Sequence, residues 1–170
     1  MWSLSSATRM VVFAALLIVS WCVMVWTHEA GHLMGGWCCG AQLTVAEVRP
    51  WHLPYSVFSP DPHPLITLWG GPLIGVCAPV LIAVVGNRVW LWFVAHFCLL
   101  CNGVYLATAW FTGDSFLDTT KLLEHGANAW WIVLFCVATI VPGYIGIKRS
   151  FVRLFCASKM RAAESDGAVV

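Results

Sequence analysis

The stretch Val11-Val-Phe-Ala-Ala-Leu-Leu-Ile-Val-Ser-Trp-Cys-Val-Met-Val-Trp-Thr-His28-Glu29-Ala-Gly-His32 decides the architecture. It carries no charge until Glu29, and with the residues up to Met34 it reaches the roughly 20 residues that cross a bilayer core. Residues 11–34 are therefore read as a membrane span. The stretch opens after Arg9 like a signal peptide. It is too long for such an apolar core and lacks a small-residue cleavage site, so it is expected to be retained.

Three more apolar stretches of similar length follow, at 65–86, 89–111 and 130–147. Tryptophans fall at the ends of the spans: Trp37, Trp69, Trp90 with Trp92, Trp110, and Trp130 with Trp131. Indoles anchor at headgroup level in this way. The whole composition agrees. The 170 residues are 60% hydrophobic and only 10% charged, whereas a soluble domain needs about 25% charged residues. A net charge of +1 offers no basic face for nucleic acid. Five cysteines, Cys22, Cys77, Cys98, Cys101 and Cys136, lie within apolar runs, where a thiol behaves as a small hydrophobe.

Four spans put both termini on one side. That side holds seven of the nine Lys and Arg residues: Arg9, Arg88, Lys148, Arg149, Arg153, Lys159 and Arg161. Arg49 and Lys121 fall on the other side. The positive-inside rule makes the termini cytoplasmic and turns the loops 37–64 and 112–129 to the outer or lumenal side. The chain thus divides into a polytopic core, 1–147, and a basic juxtamembrane tail, 148–170, suited to an anionic leaflet. The expected fold class is an all-α integral membrane protein of about four transmembrane helices. A small β-hairpin is possible in the first outer loop, before a Pro-rich irregular run from Pro50 to Pro64. A short helix is expected to start near Ser115 and stop at Gly126.

His28-Glu29-Ala-Gly-His32 is an H-E-x-x-H motif. Residues i and i+4 share a helix face, so both imidazoles can reach one metal ion, with Glu29 beside them as a base. His28 lies 17 positions after Val11, about 25 Å along a helix, a few ångström inside the outer boundary of the core. Ionisable groups at such depth mark function. A helix end that has simply reached water explains one or two polar residues, but not this order and spacing. A catalytic zinc usually takes a third protein ligand. Asp114, Asp118, Glu124 and His125 share the required side. Asp118 reads equally well as a ligand or, with Ser115, as a helix cap. Asp114 is the runner-up.

Thr27-His-Glu-Ala-Gly-His-Leu-Met-Gly-Gly-Trp resembles the active-site helix of the site-2 protease family of intramembrane zinc metalloproteases, in its short, minimal-core form. Gly70-Gly71-Pro72 resembles the Gly-Pro element that packs near the zinc, and 113–123 a Gly-Asp-x-x-Asp-Gly-x-x-Leu-Leu element. Thr119 stands at its second Gly. The resemblance implies Zn2+ held by His28, His32 and Asp118, with Glu29 as general base and Asn102 orienting the peptide. The expected partners are the lipid bilayer and a transmembrane protein substrate, cleaved within or near its membrane segment. Two other expectations stand beside it: a catalytically inactive membrane scaffold or adaptor of the same fold, and a haem or metal carrier using His28, His32 and His96.

Overall fold

The computed structural model describes residues 5–156. Their order is α1 (Ser6–Cys38), β1 (Leu43–Glu47), β2 (Tyr55–Phe58), α2 (Pro64–Gly86), α3 (Val89–Thr112), α4 (Asp118–Glu124) and α5 (Ala129–Phe151), closed by a π-helical turn, Val152–Cys156. The helices α1, α2, α3 and α5 are long and apolar enough to cross a membrane. Their outer faces are apolar: Val85, Phe111 and Trp130 are 86%, 88% and 77% exposed. Soluble monomers rarely leave so much apolar surface to water, and four such helices suggest a multi-pass membrane protein.

Contacts fix the directions of the helices. Gly31 meets Gly70, and Gly35 meets Ile66; as numbers rise along α1 they fall along α2, so the two are antiparallel. Phe13 packs on Phe93 and His28 bonds Asn102, which makes α1 and α3 parallel. Gly103 abuts Thr139, and Gly146 abuts His96, so α5 runs against α3. A Cβ on Gly31 would strike the Gly70 carbonyl, and one on Gly70 would strike the Gly31 carbonyl. Glycine at both positions lets the two backbones approach closely. The helix α2 continues unbroken through Pro72 and Pro79.

Several boundaries differ from expectation. The first helix is 33 residues long, about 50 Å at 1.5 Å per residue, and overshoots the expected span at both ends. The hairpin is present, with Val45 paired to Val57 and Glu47 to Tyr55. Its second strand lies within the Pro-rich run expected to be irregular. Proline spacing leaves Tyr55–Phe58 free of proline, which is long enough for one short strand. The helix α5 passes through Lys148 and Arg149. The continuing π-helical turn lies against the start of α1, where Arg9 donates to the Phe155 carbonyl and Phe13 packs against Phe151 and Phe155. Lys159 and Arg161 of the expected basic tail lie outside the described residues.

The short helix starts at Asp118, three residues later than expected. Gly113, at φ +64°, ends α3 in the left-handed conformation that glycine adopts without strain. Asp114 then turns the chain, accepting from the Phe116 N–H at 2.9 Å. Two buried residues pin α4. Leu122 joins Leu106, Ile132 and Cys136 in a core cluster, and the Thr119 hydroxyl donates to the Leu106 carbonyl at 2.8 Å.

Candidate metal centre

His28, Glu29 and His32 lie in the final third of α1, at 6%, 3% and 6% exposure. Their i, i+4 spacing puts both imidazoles on one face. The α4 N-terminus presents Asp118 to the same point, 7% exposed. The Nε2 atoms of His28 and His32 are 3.0 Å apart, and Asp118 Oδ2 lies 2.9 Å from the first and 3.3 Å from the second. Donors at 2.0–2.1 Å from a tetrahedral zinc would stand about 3.3–3.4 Å apart. These three atoms are within a few tenths of an ångström of that triangle.

The other ring nitrogens fix the protons. The Asn102 amide gives its N–H to the Cys98 carbonyl, so its Oδ1 is the acceptor for His28 Nδ1 at 2.7 Å. His32 Nδ1 is 2.9 Å from the Thr67 carbonyl, which can only accept. Each Nδ1 therefore carries hydrogen, and in the neutral ring each Nε2 presents a lone pair. Two lone pairs and a carboxylate oxygen converge on one small space. They need positive charge between them, either a proton on one ring or a metal ion. The backing of each ligand histidine by a second acceptor is the arrangement that orients histidines on metals. Two imidazoles with two carboxylates, Asp118 and Glu29, also balance the charge of a divalent cation. The residues present thus fit zinc. Burial alone would raise the Asp118 pKa, but the adjacent His32 and His28 rings outweigh it and hold the carboxyl well below the ordinary range.

Glu29 offers a carboxylate oxygen within 4.8 Å of the histidine donors. Its Oε2 accepts from Ser56 Oγ at 2.8 Å. Ser56 and Phe58 share one face of β2, and the Phe58 ring fills the space over Gly36, so the hairpin docks on α1 through this pair. Gly71 faces the His32 ring, where any Cβ would overlap Nε2. The Thr67 carbonyl, Ser56 and Tyr105 were not singled out in the sequence, because their partners lie 13 to 35 positions away and no local pattern marks them.

Four expectations change here. Asp114, the alternative third ligand, is exposed and spends its carboxylate on the turn to Phe116. The capping role for Asp118 with Ser115 is replaced: the residue at the cap is Leu117, with no side-chain cap bond, and Asp118 turns to the histidines. Asn102, expected to orient the peptide, has no exposed surface and holds His28 from behind. His96 is remote from the centre. It stacks on Trp92 and lies 3.4 Å from Ser150 Oγ on α5, so it joins helices and does not complete a three-histidine carrier.

Glu29 lines two cavities. An apolar cleft of about 470 Å³ is walled by Trp21 and Met24 of α1, Leu100 and Val104 of α3, and Leu53 of the hairpin connection, with His28 and Glu29 at its end. That connection is strapped to α1 by two indoles: Trp21 donates to the Pro50 carbonyl at 2.8 Å and Trp26 to the Val48 carbonyl at 3.2 Å. A second, small polar chamber of about 40 Å³ is lined by Glu29, His32, Ser56, Thr67, Asp118 and Lys121 among others. It has room for a water molecule or two. No family model, no curated protein and no solved structure matches the chain.

Proposed function

We propose that the protein is an intramembrane zinc metalloprotease of the site-2 protease type. The observation that carries this reading is the convergence of His28 Nε2, His32 Nε2 and Asp118 Oδ2 with both Nδ1 atoms tied to acceptors. The zinc would be held by those three groups. Bound there it would polarise a carbonyl oxygen and bring the pKa of water towards neutrality.

The chain's own residues do the rest. Glu29, steadied by Ser56, takes a proton from the attacking water and passes it to the leaving amine. Asn102 and the Thr67 carbonyl hold the two imidazoles in the required tautomer. The apolar cleft receives an unwound stretch of a transmembrane substrate, since a helical backbone keeps its carbonyls in hydrogen bonds. The polar chamber, which Glu29 also lines, supplies the water. With the seven-to-two split of Lys and Arg, the termini face the cytoplasm and the metal centre the outer or lumenal side.

Glu29→Gln in the purified, zinc-loaded protein tests the chemistry. Cleavage of a membrane-segment peptide should fall by about 100-fold or more, the range for a general base, with zinc content unchanged. Wild-type rates in this variant would remove Glu29 from the reaction.

A further inference from the structure

The apolar cleft and the polar chamber share three residues, Glu29, Pro54 and Tyr105. Two of them have polar side chains, and Glu29 already has its role. Tyr105 stands on α3, one turn beyond Asn102. Its ring is edge-on to His28, with centroids 5.6 Å apart at 88°. Its hydroxyl oxygen lies 3.4 Å from the Asp118 N–H and accepts from it. A phenol that accepts through oxygen still has its own hydrogen to give. No acceptor for that hydrogen is found among the described residues. A hydrogen-bond donor thus lines both cavities, beside the third candidate ligand.

We infer that Tyr105 is a catalytic residue that donates its O–H to the oxyanion formed when the peptide carbonyl is attacked. The inference rests on the hydrolase reading above. In the step, the water oxygen bonds to the carbonyl carbon while Glu29 takes a water proton. The carbonyl π pair moves onto its oxygen, and the Tyr105 O–H donates to the charge that gathers there. Collapse restores C=O and breaks the C–N bond, and the amine departs with the proton from Glu29. Tyr105 keeps its own proton throughout, so no co-reactant is needed. Asn102 is sealed behind His28, and of the residues common to the two cavities Tyr105 is the neutral donor. A donor aimed at developing charge in a water-poor site supplies about 100- to 1,000-fold in kcat.

Tyr105→Phe keeps the ring on His28 and removes only the hydroxyl. In zinc-loaded protein in detergent, kcat should fall about 100-fold while KM and zinc stoichiometry stay at wild-type values. A peptidyl phosphinate, a stable mimic of the tetrahedral anion, should bind the variant more weakly by a comparable factor in calorimetry. The uncleaved peptide should bind Glu29→Gln and Glu29→Gln/Tyr105→Phe equally. An unchanged kcat, or unchanged phosphinate affinity, overturns the oxyanion role. So does a loss of activity that tracks a loss of zinc, because the hydroxyl would then serve to hold Asp118. Each of these leaves the hydrolase reading intact if the wild type cleaves and Glu29→Gln does not. A wild-type protein with neither zinc nor cleavage overturns that reading itself.

Discussion

Each histidine of the centre has two nitrogens with separate tasks, and the tasks were unequally visible. The spacing of His28 and His32 announces the Nε2 pair, because i and i+4 share a face in any helix. Nothing in the sequence announces what the Nδ1 atoms meet, since Asn102 and Thr67 are 74 and 35 positions away. The resemblance assigns Asn102 to the peptide, whereas its Oδ1 accepts from His28 Nδ1 across α1 and α3. Asn102→Ala should weaken zinc binding by about 10- to 100-fold, the usual cost of losing a partner behind a ligand histidine. Competition with a chromophoric chelator measures this. An affinity unchanged within about twofold would mean that His28 is oriented by packing alone.

At the scale of elements, the four long helices were legible because length and apolarity are local properties. The third corner of the centre was not. Asp118 competed with a capping role that spacing alone could not dismiss, and the outcome depended on where α4 begins. Gly113 and the Asp114 turn delay that start to Asp118, which places the carboxylate at the helix N-terminus and towards the histidines. Thr119, which departs from the motif it resembles, does structural work here by tying α4 to the Leu106 carbonyl. Thr119→Val removes that bond at nearly constant volume and should cost about 1 kcal/mol of α4 docking. Zinc affinity should then drop about fivefold, with helix content unchanged by circular dichroism. A Val variant with full affinity would show that Leu122 alone seats α4.

For the molecule as a whole, direction and side are set by different evidence. The contacts make α1 to α5 an up-and-down arrangement, which brings the end of α1, the start of α2, the end of α3 and α4 to one end. The side of the membrane follows only from charge. A glycosylation acceptor inserted after Pro60 should be modified in an endoplasmic-reticulum membrane, and one appended at the C-terminus should not. Modification of the C-terminal site alone would invert the proposed orientation without touching the metal centre. The mostly helical architecture was readable because long apolar runs are local features of the sequence. The cleft and chamber that Glu29 lines were not, because each is assembled from three or more elements distant in sequence.

The claim on which the rest depends is that His28, His32 and Asp118 hold one zinc ion. The direct measurement is zinc per protein, by elemental analysis after purification and extensive dialysis, for wild type, Asp118→Asn and Asp114→Asn. Wild type and Asp114→Asn should each retain about one zinc, and Asp118→Asn should retain far less, because one of three protein ligands has lost its charge. Wild-type protein without stoichiometric zinc, or equal retention in Asp118→Asn, would contradict the assignment.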